Sequence, residues 1–545
     1  MPLVVRNLTL RFHEPEENLR RQIARVLEIP PRAIRSFGVI RRSVDARNHE
    51  DIRRVYHVEC SIDGDEQQLV KRGRPGQVAL VVREKLPEIP TGSAGLPHRP
   101  VVVGSGPAGL FAALLLAERG YMPLLLERGQ DVPARHKALH LYYTQGQFDP
   151  ENNLLFGIGG AGTYSDGKLY SRTHDARNTY VLETLVRFGA DPNILIEAKP
   201  HLGSDKLPGV CRRIVEAIRA AGGEVRYGAR VSGVELSDNA AGTPQGKTLR
   251  AIVLEGGEKI PCSVALFAIG HSSRDTYRFL HSTGVTMAAK PFQMGVRIEH
   301  PQAMINRNQH GPLADTLPPA DYTLVAKNAG ATCSTLCGPD MFSFCMCPGG
   351  TILPSNESPR EICTNGASSS QRDSSFANSG LVVTILPTAF ADDPIQGIAF
   401  QQKWEQLAYQ LSGSYAVPAQ RAPDFLANRP SDGAMAVSYP LGAKSVDLRQ
   451  MLPDPVLQAL IRGLPMLDRL VEGFASPEGI ITGPETRASS PVRITRDDVS
   501  RQSISVAGLY PAGEGAGYAG GIVSSATDGL KSAEVIVALY APLKK

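Results

Sequence analysis

No stretch of the chain approaches the eighteen or more consecutive apolar residues that a membrane-spanning helix needs. The longest candidate, Leu110 to Ala117, stops at Glu118 and Arg119, so no membrane span is expected. The first residues, MPLVVRNLTLRF, lack the basic segment, apolar block and small-residue cleavage site of a secretion signal and alternate like a strand. Cysteine is scarce, eight in 545 residues at irregular intervals. That is no disulfide scaffold, and it fits a reducing, cytoplasmic setting. An excess of one charge is missing too: 58 basic against 54 acidic residues leave +4, concentrated around Arg20, Arg21, Arg41, Arg42, Arg53 and Arg54. A surplus this small does not point to nucleic acid. There is no internal repeat, and oligomeric state leaves no signature.

What is present, 42% hydrophobic and 21% charged residues over this length, suits about two to four globular domains. Residues 1–95 read as a small accessory α+β module of βαββαβ plan, with strands near 3–12, 34–45, 52–62 and 77–82 and helices near 15–27 and 64–73. A Pro- and Gly-rich linker, Leu86 to Pro100, follows. Residues 96–280 and 481–545 share a grammar of apolar strand, glycine turn and helix, as two pieces of one discontinuous, doubly wound α/β domain. Residues 281–480 differ in texture and read as an inserted α+β substrate or cap domain. The stretch 259–269 reads as a single strand, and SSSQRDSS, Ser368 to Ser375, as a mobile loop.

The first chemical signal is VVVGSGPAGL, where Gly104, Gly106 and Gly109 fit G-x-G-x-x-G after an apolar strand, and Pro107 and Ala108 open a helix. The first glycine permits the tight turn, the second lets backbone approach a pyrophosphate, and the third lets helix and strand pack closely. About twenty residues on, strand Leu124 to Leu126 ends at Glu127 and Arg128, where a carboxylate can bond an adenosine ribose. No second such motif with a preceding strand and acidic partner lies between 281 and 480, so no dedicated NAD(P)H domain is expected. The helix after the first motif also lacks the paired cysteines of the disulfide reductases.

Near the C-terminus, GLYPAGEGAGYAGGIVSSATDGLKSAEVI resembles the second FAD fingerprint of the glutathione-reductase-like flavoproteins. The resemblance implies that Gly513, Glu514 and Gly515 surround the ribityl chain or pyrophosphate, and that the helix starting at Gly521 and Ile522 aims at the flavin pyrimidine edge. Glu514 stands where that class usually has Asp. VALFAIGHSSRDT resembles the strand and A-x-G turn, here ending at Gly270, at which such chains leave the FAD domain. Five more segments, NLLFGIGGAGTYSDGKLYSR, GHSSRDTYRFL, GVRIEHPQ, FSFCMCPGG and GPETRASSPVRI, resemble signatures of the uncharacterised FAD-dependent dehydrogenases. These are bacterial flavoproteins related to BaiN-like and geranylgeranyl-reductase-like proteins. The resemblance covers nearly the whole chain and implies an FAD-binding doubly wound domain and an oxidoreductase. A hydride would pass through flavin N5 to or from an unidentified small molecule, with NAD(P)H as a transient donor. A flavin monooxygenase, or a binding or regulatory protein with structural FAD, are the alternatives.

Gly159, Gly160, Ala161, Gly162 and Thr163 are candidates for backbone contact with FAD, with Ser165 and Asp166 at the same edge. Lys168 is a candidate to sit beside the flavin, where its charge would favour the reduced ring. His271, Arg274, Arg297 and Glu299 stand where the chain passes between domains and are read either as acid–base and anchoring groups or as hinge ion pairs. Thr486, Arg487 and Ser490 are similar. Cys333, Cys337, Cys345, Cys347 and Cys363 crowd one region but match no zinc or ferredoxin spacing. FSFCMC alternates like a regular strand, so buried cysteines acting as small hydrophobes are expected, with redox thiols or a metal as alternatives. On such a strand Cys345 and Cys347 face one way about 7 Å apart, beyond disulfide reach.

Overall fold

A computed structural model describes residues 2–82, 86–171, 173–238, 245–331 and 335–543. Cys333 falls outside the described residues.

Alternation builds the first sheet. Ile34–Asp45, Arg53–Ile62, Leu3–Arg11 and Val78–Leu80 pair antiparallel in that spatial order. Leu3, Val5, Leu8 and Leu10 face the core, and the change of parity after Val5 is absorbed by a bulge in which Asn7 takes φ +58°. Helices Leu19–Leu27 and Glu66–Arg72 complete the βαββαβ order; the first buries Leu19, Ile23, Ala24 and Leu27 at helical spacing. The outer strand is tied to the rest of the chain. Arg42 N donates to Ile196 O (2.6 Å), Ala198 N donates to Arg42 O (2.8 Å), and the Arg42 guanidinium meets Glu197 and Glu16.

The second sheet is parallel, in the order Leu509–Pro511, Ala265–Phe267, Val101–Val103, Leu124–Leu126, Glu224–Arg226. Its strands are short and largely buried, as helix-covered parallel strands are. Helix Pro107–Glu118 is buried at every position from Ala108 to Ala117. The last helix, Ile522–Leu539, crosses it so closely that a Cβ on Gly529 would lie 2.0 Å from Ala108 O. The expected strand 259–269 is in fact two. Lys259–Pro261 pairs with Lys247–Leu254 in a separate sheet, and Ala265–Phe267 enters the parallel one. Pro261 has no N–H with which to extend a ladder, and the largely apolar run, broken only by Ser263, conceals the change of sheet.

A seven-stranded sheet carries the remainder, in the order Val325–Ala326, Cys337–Cys347, Phe376–Ile385, Phe292–Pro301, Ile480–Glu485, Val417–Arg421, Ala443–Ser445. Helices Pro394–Ser412 and Asp454–Asp468 contribute to its apolar core. The chain enters and leaves this region side by side, Met287–Ala289 pairing with Val492–Ile494. The serine-rich stretch is not a free loop. Ser368 ends the hairpin Gly350–Pro354 and Thr364–Ser368, and Ser370 donates through N and Oγ to Asp205, both at 2.7 Å.

The linker is also held. Gly92 N donates to Val537 O (2.9 Å), Ala94 N to Leu539 O (3.2 Å), and Ala541 N to Ala94 O (2.8 Å). Gly92 must be glycine for this approach, since a Cβ would fall 2.1 Å from the Leu539 carbonyl carbon. We place the separable boundary of the N-terminal module near residue 86 rather than 95. A chain beginning at Leu86 should fold without the module, keeping the strap and losing the contacts of Arg42 with Ile196, Glu197 and Ala198. One beginning at Leu96 should lose three hydrogen bonds, about 2–4 kcal/mol in all. Urea unfolding of the two truncations measures this, and equal midpoints would show that the strap contributes nothing.

Candidate functional site

The three glycine turns converge because side chains are missing where they touch. Gly104 takes φ +95°, and a Cβ there would lie 2.4 Å from Ala268 O on the neighbouring strand's turn. A Cβ on Gly109 would lie 1.8 Å from Gly104 O, which is the close helix–strand packing its spacing predicts. Gly106 is different: its φ is −67°, open to any residue, and a Cβ would meet nothing within 4 Å. It faces a cavity of about 1150 Å3 whose wall also includes Gly104, Pro107 and Ala108. Helix Pro107–Glu118 has no side-chain cap, so its first N–H groups are available to an anion in that cavity.

Glu127 lies in the same wall, buried to 4% exposure. Its carboxylate is already occupied: Oε2 accepts from Ser105 N and Oγ, and Oε1 from Gly129 N and Gly157 N, all within 3.0 Å. A ribose would therefore have to share these sites. Arg128 also lines the cavity, paired with Glu151 and Asp275 and lying 4.1 Å over the Phe156 ring.

Gly160, Ala161, Gly162, Ser165 and Asp166 line the cavity, whereas Gly159 and Thr163 support it from behind. Gly159 and Gly160 both have left-handed backbone, and Gly160 lies against Gly106, where a Cβ would come within 3.1 Å of the Gly106 Cα. Arg135, which sequence reasoning missed, holds this loop. Fully buried, it donates to the carbonyls of Asn153, Leu154, Ile158 and Gly160 at 2.7–3.0 Å. Burial depresses its pKa, and no carboxylate is hydrogen-bonded to it, so the four carbonyls are what stabilise its charge. An arginine on a mixed helix carries no sequence signal of that role.

The late turn closes the opposite side. Gly513 has φ +78° and donates to Asp528 Oδ2 at 2.7 Å, while Arg496 and Arg501 hold Asp528. Gly515 packs on Gly270, with a virtual Cβ 2.4 Å from Gly270 O, and Tyr277 Oη donates to Gly515 O (2.6 Å). Gly270, Gly513, Glu514, Gly521 and Ile522 line the cavity; Gly109 and Gly515 do not. The helix starting at Ile522 has no side-chain cap, so a second uncapped N-terminus faces the same space.

Of the catalytic candidates, Lys168 and His271 line the cavity, with His271 Nδ1 3.2 Å from Glu514 Oε1. Lys168 Nζ is committed to Asp166 (3.2 Å) and to Met346 O (2.5 Å). The other three candidates stand outside it. Arg274 is 1% exposed and bidentate on Glu405 (2.8 and 2.9 Å). Arg297 is bidentate on Glu485 (2.7 and 2.9 Å), and Glu299 accepts from Ser438 N and Oγ. These three act as buried structural pairs, of which only Glu485 reaches the cavity wall. Arg487 does reach it: only 7% exposed, it has three guanidinium nitrogens without a hydrogen-bond partner.

A doubly wound parallel sheet with three glycine turns on one cavity, two uncapped helix N-termini and open space at Gly106 suits an adenine dinucleotide with its pyrophosphate. This is the arrangement of a dinucleotide-fold flavoprotein. Residues 291–488 match the family described as FAD-dependent protein, C-terminal domain-like, residues 102–137 an NAD(P)-binding Rossmann-like domain, and residues 2–61 a domain of unknown function. An uncharacterized protein of Clostridium beijerinckii is 40% identical over 543 residues, 98% of this chain and 99% of its own. The chain belongs to this family of uncharacterised FAD-dependent proteins, and its cofactor is FAD.

Among solved structures, glycine oxidase from Bacillus cereus is similar at 10% identity and TM-score 0.34, covering 81% of this chain and 94% of its own. Glycine oxidase from Geobacillus kaustophilus is similar at 11% and 0.32, with 82% and 94% covered. For Thermovibrio ammonificans THI4 the figures are 16% and 0.24; 36% of this chain is covered and about 65% of that one. Likeness this slight identifies no substrate. Among the described residues no helix is long and apolar enough to cross a membrane, and no group of three His, Cys, Asp or Glu is placed to hold a metal ion.

The two glycines at the first turn should separate binding from folding. Gly106→Val should fold normally yet purify without flavin colour, because its methyls fill only cavity space. Gly109→Val should fail to fold, with its Cβ inside the Gly104 carbonyl. Circular dichroism and the visible spectrum of each protein test this, and a yellow Gly106→Val would misplace the pyrophosphate.

Proposed function

We propose that the protein is an FAD-dependent oxidoreductase acting on a small substrate whose anionic group is received by Arg487. FAD, when bound, supplies a two-electron acceptor and donor at its flavin N5. The support for an anionic group is the state of Arg487, a buried guanidinium in the cavity wall with every nitrogen lacking a hydrogen bond. A guanidinium offers five donors, and leaving them unpaired away from water is costly. A carboxylate or phosphate on a ligand relieves that cost with two parallel bonds.

Glu405 does not fill this role. Its Oε1 is 3.5 Å from Arg487 Nε, but its carboxylate is already taken by Arg274 and the Thr486 hydroxyl. Burial opposes its ionisation, yet the Arg274 and Arg487 guanidiniums hold it at about 2, so it stays charged and keeps Arg487 in place. His271, 3.2 Å from Glu514, is the group we assign to hold or release a proton at the cavity wall. NAD(P)H is the donor to test first, and it would enter this same cavity transiently.

Anaerobic mixing of the yellow protein with NADH, NADPH and a panel of carboxylate and phosphate metabolites should show at least one that bleaches it. Arg487→Gln should keep FAD and be bleached by that anionic reductant roughly ten- to a hundredfold more slowly, the ~1.5–3 kcal/mol of a hydrogen bond to a charged group. An unchanged rate, or a wild type that only dithionite reduces, contradicts the reading. Loss of FAD from Arg487→Gln would put the guanidinium on the cofactor instead.

A further inference from the structure

The regular strand expected around Cys345 and Cys347 is not what forms. Along the pairing of Cys337–Cys347 with Phe376–Ile385, Phe344 stands opposite Gly380 but Cys347 opposite Asn378, so Cys345 and Met346 together face the single residue Ser379. That is a β-bulge, and Cys345 within it takes φ +44°, uncommon for a residue with a side chain. The bulge re-aims both sulfurs. Lys168 Nζ lies 3.7 Å from Cys345 Sγ and 4.0 Å from Cys347 Sγ, and Cys347 donates to Cys345 O at 3.2 Å. Neither cysteine is in a disulfide. Cys345 lines the flavin cavity, and Cys347 lies buried at 0% exposure.

The remaining cysteines of the cluster look different. Cys337 and Cys363 are buried at 1% exposure and sit as small side chains in the packing. Their sulfurs contact the carbonyls of Gly330 and Thr364 and the Thr486 hydroxyl. The strained backbone, the cavity position and the ammonium coincide at Cys345, and Cys347 shares the same ammonium. Strained backbone of this kind collects at functional sites.

We propose that Cys345 and Cys347 form a dithiol–disulfide couple opening onto the flavin cavity, with Cys345 as the attacking thiolate, Cys347 as the resolving thiol and Lys168 as the positioning cation. In oxidation by a low-molecular-weight disulfide, Cys345 Sγ attacks one sulfur, that S–S bond breaks, and one thiolate leaves. Cys347 then gives up its proton to that thiolate and attacks Cys345 Sγ, releasing the second thiolate. Two electrons have moved from the pair to the small disulfide, which ends as one thiol and one thiolate, and one intrachain S–S bond has formed. The reverse sequence, or two electrons from reduced FAD with proton uptake, restores the thiols.

The electrostatics agree. The Cys347 thiol beside it, and behind that Lys168 and Arg297, hold the Cys345 thiol below the usual range against the effect of burial, while Cys347 is pushed up. Burial alone would depress Lys168, but the two sulfurs and Asp166 outweigh it and the ammonium is retained. Cys345 should therefore alkylate with iodoacetamide at a pH below that of an ordinary thiol. Lys168→Met should move that profile up and Lys168→Arg restore it.

The decisive test equilibrates the purified protein in glutathione redox buffers and counts alkylated thiols after denaturation, with peptide mass spectrometry to locate the loss. Wild type should lose two thiols together, both within the peptide Asn328 to Arg360 and assigned to Cys345 and Cys347; Cys345→Ser and Cys347→Ser should each show no such paired loss. In anaerobic dithionite titration the pre-oxidised wild type should take up about four electrons per FAD, where the double serine variant takes up about two. The double alanine variant replaces the double serine one if the latter does not fold. Both thiols alkylatable in every buffer, or equal electron uptake by wild type and double variant, overturns the proposal. The thiol count also works on flavin-free protein, so failure here is distinct from failure of the oxidoreductase reading.

Discussion

Close approach of backbone to backbone at four glycines is the constraint on which the rest of this molecule depends. Gly104 against Ala268, Gly109 against the Gly104 carbonyl, Gly515 against Gly270 and Gly529 against Ala108 each leave no room for a Cβ. These contacts draw the first turn, the turn after Ala265–Phe267 and the late turn to one end of the parallel sheet, although they come from three distant parts of the chain. The cavity exists because they meet. Gly106 differs from these four: a Cβ there would meet nothing within 4 Å, and the space in front of it belongs to the cavity.

Around that backbone frame, charge is fixed by burial and pairing. Arg135, Arg274 and Arg297 are each at most 1% exposed, and each is held by carbonyls or by a bidentate carboxylate. Removing either partner of such a pair strands a buried charge, which is why these residues determine geometry without touching a ligand. Arg487 and Lys168 break the pattern. Arg487 lies 3.5 Å from Glu405 but has no hydrogen-bond acceptor, and Lys168, paired with Asp166, also places its ammonium beside two thiols, so both bring positive charge to the cavity wall.

Much of this was legible from residue order. Alternation marks the N-terminal strands, and the glycine spacing marks the dinucleotide turn, because both are local rules that tertiary packing leaves intact. The convergence of Gly270 and Gly513 with Gly104 was readable only through resemblance to known flavoproteins. Three things were not legible. Arg274, Arg297 and Arg487 look alike in sequence, and only folding decides which is hydrogen-bonded to a carboxylate and which is left without a hydrogen bond. The strand read over 259–269 hides a switch between sheets, since apolar residues suit either. FSFCMC alternates as a regular strand would, and the bulge that turns its two cysteines onto Lys168 depends on pairing with Phe376–Ile385 and not on the segment itself.

The account's central claim is that the three glycine turns together hold FAD. The most direct test is to denature the purified protein, separate the released chromophore by chromatography and quantify it against protein. About one FAD per chain is predicted, since the first turn suits an adenine dinucleotide and the late turn a flavin. A chromophore that proves to be FMN, or a folded protein that neither carries nor takes up any flavin, would contradict it.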